Sequence, residues 1–210
     1  MEKLQRGLIV SCQSAEGECL HGLGLNKYFA LCAVKGGAVG VRSSYEDVQP
    51  IKELVGNIPI IGLVKQKYSG SDVYITPTLQ EIKLLIDSKC DVIALDATNR
   101  LRPKESLEEL VCYCKEHSEA ELMADIATIS EAKRAETLGF NYIGCTLRSY
   151  TEETAGIEIP DYDFIQELIS TISNSKVIVE GGIWEKSQLK VILKMNPYAV
   201  VIGSSITRPM

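Results

Sequence analysis

Short, unbroken apolar runs recur along this chain at spacings of about 20 to 30 residues, with a helix-like stretch between neighbours. They are 8–12, 38–41, 59–64, 92–95, 121–124, 142–145, 177–179 and 199–202. Runs without polar alternation mark strands covered on both faces, as in parallel sheets, and parallel strands need long crossovers that helices supply. Eight strand–helix units within 210 residues predict a (β/α)8 barrel, a single domain over 1–210, in preference to an open doubly wound sheet. The last run stops at Ile202 and the sequence at Met210, so the final helix is expected to be short or missing. Local signals place helices at about Asn26–Lys35, ended by Gly36-Gly37, and from Lys104 to His117. Val73-Tyr74-Ile75 reads as a short extra strand, and the Thr-, Glu-, Ser- and Gly-containing stretch from Thr146 to Gly156 as a flexible cover.

Polar residues gather where the apolar runs finish: Gln13, Arg42, Lys65, Asp96, Asp125, Thr146, Glu180 and Gly203. In a barrel these ends converge on one mouth, where catalytic side chains are found. A lysine kept neutral by desolvation or by a neighbouring cation such as Arg42 can act as a base or form a Schiff base, which singles out Lys65. Glu180 is the acid that can exchange a proton with it or with a hydroxyl, although an ionised Glu180 nearby would raise the lysine pKa. Asp96, followed by Thr98, equally suits holding a loop through side-chain to backbone hydrogen bonds.

The last two runs end alike, in Glu180-Gly181-Gly182 and in Gly203-Ser204-Ser205. Glycine lets backbone N–H groups approach an anion, and the loops after the last two strands of a barrel are its usual phosphate cradle. Arg208 follows within reach as a forked cation. Taken alone, such glycines serve equally well in tight turns.

Net charge is −6 with a pI near 5.1, which argues against a nucleic-acid or membrane-surface partner and leaves a small anion needing a local positive site. No apolar run is long enough to span a bilayer, and the opening residues lack signal-peptide anatomy, so a cytoplasmic protein is expected. Seven scattered cysteines fit neither a disulfide framework nor paired metal ligands. Cys112 and Cys114 fall on different faces of one helix, and of the two histidines, His117 ends that helix at the surface. His21 alone is a weak basis for a metal site, and none is expected.

Several separated segments carry a resemblance covering essentially the whole chain: 10–13 (VSCQ), 37–42 (GAVGVR), 62–65 (GLVK), 91–98 (DVIALDAT), 123–128 (MADIAT) and 203–209 (GSSITRP). The sequence resembles the bacterial N-acetylmannosamine-6-phosphate 2-epimerase family. The resemblance implies a (β/α)8 isomerase converting N-acetylmannosamine 6-phosphate to N-acetylglucosamine 6-phosphate in sialic acid and amino-sugar breakdown, without metal or organic cofactor. It implies that Lys65 is the acid/base lysine and Glu180 its carboxylate partner. By the same likeness Gln13, Arg42 and Asp125 contact the sugar, joined by Thr146 at its strand end. Gly182, Gly203, Ser204 and Arg208 match the phosphate end, and a homodimer is implied. Three features depart from the family pattern: Gly182 stands where some members carry asparagine, Trp184 where proline or threonine is expected, and the tail after Arg208 is shorter. Two rival readings fit the same residues. One is a phosphate-binding barrel lyase or synthase working through a Lys65 Schiff base, and the other is a sugar-phosphate binder without catalysis.

Overall fold

The backbone hydrogen-bond ladder closes on itself. In the computed structural model, which describes residues 3–14 and 16–208, the strands are β1 (Gly7–Ser11), β2 (Gly40–Ser44), β3 (Ile60–Leu63), β4 (Val92–Asp96), β5 (Glu121–Asp125), β6 (Tyr142–Gly144), β7 (Lys176–Glu180) and β8 (Ala199–Ile202). Each pairs in parallel with the next, and β1 pairs with β8, giving an eight-stranded barrel. The helices α1 (Asn26–Lys35), α2 (Tyr45–Val55), α3 (Leu79–Ser88), α4 (Leu107–His117), α5 (Ile129–Leu138), α6 (Tyr162–Thr171) and α7 (Lys186–Lys194) follow the strands in turn. The last, α8 (Ser204–Thr207), has only four residues, in line with the early end of the final apolar run.

The unbroken apolar runs have a direct structural reason. On β3, Ile61 and Leu63 belong to the cluster that fills the barrel, while Ile60 belongs to the cluster between strands and helices. Both faces of each strand are therefore dry, and alternation with polar residues has no place. At the N-terminal end of the barrel, Leu4 plugs the interior. Its N–H donates to the Tyr142 hydroxyl at 3.1 Å, its carbonyl accepts from the Tyr198 hydroxyl at 2.6 Å, and Tyr142 donates onward to Glu121 at 2.5 Å.

Two local expectations change. The strand expected over 38–41 pairs with β3 from Val41 to Ser44, so Arg42 lies within β2, aimed along the barrel interior instead of standing at a strand end. Helix α4 starts at Leu107, not Lys104, because Ser106 and Glu109 form a capping box that fixes its first turn. The segment after β6 is shaped by hydrogen bonds: a 3-10 turn at Glu152–Thr154, with Thr154 Oγ1 accepting from the Ser149 N–H at 3.0 Å. Other readings stand. Cys112 is exposed and Cys114 buried on α4, and His117 is exposed at its end. The suspected extra strand is an antiparallel bridge between Ile75 and Lys65. Asp96 accepts from both the N–H and the hydroxyl of Thr98, at 3.1 and 2.6 Å, and pairs with Arg100 at 2.6 Å, so it holds its loop.

Candidate active site

The C-terminal ends of the strands open into a cavity of about 540 Å³, in the range of small-molecule sites. Gln13, Arg42, Lys65, Thr146 and Glu180 all line it, as do Gly182, Gly203, Ser204 and Arg208. Asp125 is the exception. It is wholly buried behind Arg42 and does not reach the cavity wall.

Asp125 and Arg42 meet because β2 and β5 face each other across the barrel. The Arg42 guanidinium donates to Asp125 through both terminal nitrogens, at 3.0 and 2.7 Å, and the same Nη1 lies 3.2 Å from Glu180 Oε2. Such a fork is the strongest form of the carboxylate–guanidinium pair. Burial alone would push the Arg42 pKa down, but Asp125 and then Glu180 outweigh it and hold it above its ordinary value. Arg42 is thus a fixed cation, with its Nε left without a hydrogen-bond partner.

Thr146 stands between two carboxylates, its Oγ1 2.7 Å from Asp125 Oδ1 and 3.1 Å from Glu180 Oε2. A hydroxyl carries one proton and can donate to only one of them. The two carboxylates therefore compete for the Thr146 hydroxyl proton, with Asp125 at the shorter distance. Burial raises the Glu180 pKa and Asp125 adds to the rise, against the lowering effects of Arg42 and of the Thr146 hydroxyl. The Glu180 backbone is pinned by Cys145, whose Sγ donates to the Glu180 carbonyl at 3.3 Å.

Lys65 follows β3, on the hairpin closed by Ile75, and its ammonium has no hydrogen-bond or ion-pair partner among the described residues. Crowding by the cavity walls lowers its pKa, the Arg42 charge lowers it further, and Glu180 acts in the opposite sense. The side chain is open to solvent through the cavity, which tempers the effect of crowding. The net direction is downward. The base and the acid are therefore moved toward each other, Lys65 from above and Glu180 from below.

The other end of the cavity is backbone. Gly182 has φ +68°, and a Cβ there would lie 2.4 Å from the Ile159 carbonyl oxygen, so glycine is demanded by both conformation and space. Ser205 Oγ donates to the Ile183 carbonyl at 3.0 Å, tying the β7 loop to the β8 loop. Arg208 closes this end, its Nε 2.5 Å from Glu18. Sequence reasoning gave no site role to Tyr74, Tyr150, Ile159 and Trp184, which also line the cavity. Exposed aromatic residues in the loops after β6 and β7, Tyr150 and Trp184, were the available signal. Among the described residues no group of three or more His, Cys, Asp or Glu side chains has the arrangement to hold a metal ion, and no helix is long and apolar enough to cross a membrane.

A family model described as "Putative N-acetylmannosamine-6-phosphate epimerase", NanE, matches residues 27–210. The chain belongs to the NanE family. A relative from Staphylococcus carnosus named "Putative N-acetylmannosamine-6-phosphate 2-epimerase" is 47% identical over 98% of this chain and 93% of its own length. The solved structure of the N-acetylmannosamine-6-phosphate 2-epimerase from Clostridium perfringens is similar to this NanE-family chain with a TM-score of 0.91 and 39% identity, covering 96% of this chain and 88% of the other. A thiamine phosphate pyrophosphorylase from Pyrococcus furiosus reaches a TM-score of 0.64 at 13% identity over 98% of this chain and 88% of its own, a likeness of fold alone.

Proposed function

We propose that this NanE-family protein inverts C2 of N-acetylmannosamine 6-phosphate to give N-acetylglucosamine 6-phosphate. The observation that carries the reading is that Lys65 and Glu180 open into one cavity whose opposite end is the glycine-bounded pair of loops. In the open-chain sugar the aldehyde acidifies the C2 hydrogen. Neutral Lys65 takes that proton, the electron pair moves toward C1, and the C1 oxygen receives the proton of Glu180 as an enol forms. The C1–C2 unit of the planar enol then turns its opposite face to the Lys65 ammonium, which returns a proton to C2 while Glu180 takes back the enol proton as the aldehyde re-forms; the centre is inverted and both groups end as they began. Arg42 supplies a fixed positive charge beside the developing oxyanion, and in such a role one donor is worth about 2.7–4 kcal/mol. Gln13 and Thr146 contact the sugar, while Asp125 acts on it through Arg42. Gly182, Gly203, Ser204 and Arg208 hold the phosphate, whose binding remote from C2 supplies positioning. The reading carries a cytoplasmic homodimer, for which sedimentation gives the test of assembly.

The deciding experiment is turnover of N-acetylmannosamine 6-phosphate in deuterium oxide. Epimerisation with deuterium at C2 of the product is expected; an intact C2–H in the inverted product removes the proton-transfer mechanism, and no turnover removes the function. Borohydride added during turnover separates the Schiff-base reading, since simple proton transfer leaves nothing on Lys65 to trap.

A further inference from the structure

The loop between β1 and α1 reaches over to the far end of the chain. Glu18 Oε1 meets Arg208 at Nε, 2.5 Å away, and Arg208 lines the cavity beside Gly203 and Ser204. The side on which the contact is made matters. A guanidinium recognises phosphate best through two parallel N–H bonds, and a carboxylate seated at Nε fixes the plane of the fork while leaving terminal N–H groups to turn toward a ligand. The backbone beneath is tied as well: the Arg208 N–H donates to the Ser204 carbonyl at 3.1 Å, closing α8. The loop carrying Glu18 is itself folded back, with His21 Nδ1 3.2 Å from the Ser14 carbonyl. We propose that Glu18 is a positioning residue for phosphate, holding the Arg208 guanidinium in the plane from which it binds the 6-phosphate group of the sugar. This rests on the phosphate role given to Arg208 above.

The alternatives are distinct in sign. If Glu18 merely competes with phosphate for Arg208, removing it tightens binding. If the pair only fastens the loop, removing it lowers stability and leaves phosphate affinity alone. The test measures binding of inorganic phosphate to the full chain by calorimetry, together with kcat and KM for N-acetylmannosamine 6-phosphate, in Glu18→Ala, Arg208→Ala and the double variant. Expected for Glu18→Ala are a phosphate Kd and a sugar KM raised about two- to fivefold, the scale of a partly exposed ion pair, with kcat unchanged. In the Arg208→Ala background the same substitution is expected to change nothing, because the group it orients is gone. Glu18→Gln, which can still accept at Nε, should recover part of the loss. Unchanged or tighter phosphate binding in Glu18→Ala, or an undiminished effect without Arg208, overturns the proposal. The phosphate measurement needs no turnover, so it separates failure of this inference from failure of the epimerase reading.

Discussion

The two ends of the barrel both bury polar atoms, and they differ in what those atoms have left over. At the N-terminal end Tyr142, Tyr198, Leu4 and Glu121 satisfy one another by hydrogen bonds around a plug. At the C-terminal end Arg42 and Asp125 are as tightly joined, yet Arg42 Nε and Gln13 Oε1 have no partner and the Lys65 ammonium makes no hydrogen bond or ion pair among the described residues. Buried polar groups are ordinarily paired, so hydrogen-bonding capacity left over in residues that line a cavity marks the end where a ligand completes the network. One end of the barrel is built to be finished, the other to be finished by something else.

Substitutions can break that contrast. The largest effect is expected for Lys65→Ala: loss of epimerisation and of C2 deuterium exchange by about 10³-fold, as for removal of a general base. Its melting temperature should stay near that of the parent, since the ammonium holds no partner. Full exchange in this variant would take Lys65 out of the mechanism. Arg42→Met should act on both properties, because it strands buried Asp125; about 3–5 kcal/mol of stability is expected to go, measured by urea unfolding, along with activity.

Glu180→Gln sharpens the contrast by separating activity from stability, with epimerisation falling about 10²-fold. In the proposed mechanism the active form holds one proton between the pair, on Glu180 and not on Lys65. Wild-type kcat/KM is therefore expected to be bell-shaped, its limbs set by a Glu180 pKa raised above its ordinary value and a Lys65 pKa lowered below its own, as a pH–rate profile would measure. In the Gln variant the falling alkaline limb should give way to a rise as Lys65 loses its own proton. Stability follows the sign of the Glu180 shift. A carboxyl whose pKa is raised on folding favours the folded state in acid and loses that contribution as pH rises through the raised value. Thermal melting of the Gln variant should lack this decline, and an identical decline in both proteins would count against the raised pKa. The smallest effect is expected at the plugged end, where Tyr142→Phe leaves the buried Leu4 N–H unpaired; about 1–3 kcal/mol of stability should be lost with kcat unaltered.

Much of this was legible in the residues. The eight apolar runs and the helices between them follow from local rules, because strand burial and helix capping are written in neighbouring residues. Where a local rule was overlooked, at the Ser106–Glu109 capping box, the helix start moved by three residues from Lys104 to Leu107. Positions of Lys65 and Glu180 at the ends of their runs were readable for the same reason. Pairings were not. That Arg42 takes Asp125, 83 residues away, that Thr146 bridges two carboxylates, and that Glu18 meets Arg208 all depend on closing the barrel. Side-chain partners across a closed sheet are chosen by register and by which residues face inward, and neither quantity exists until distant strands have met.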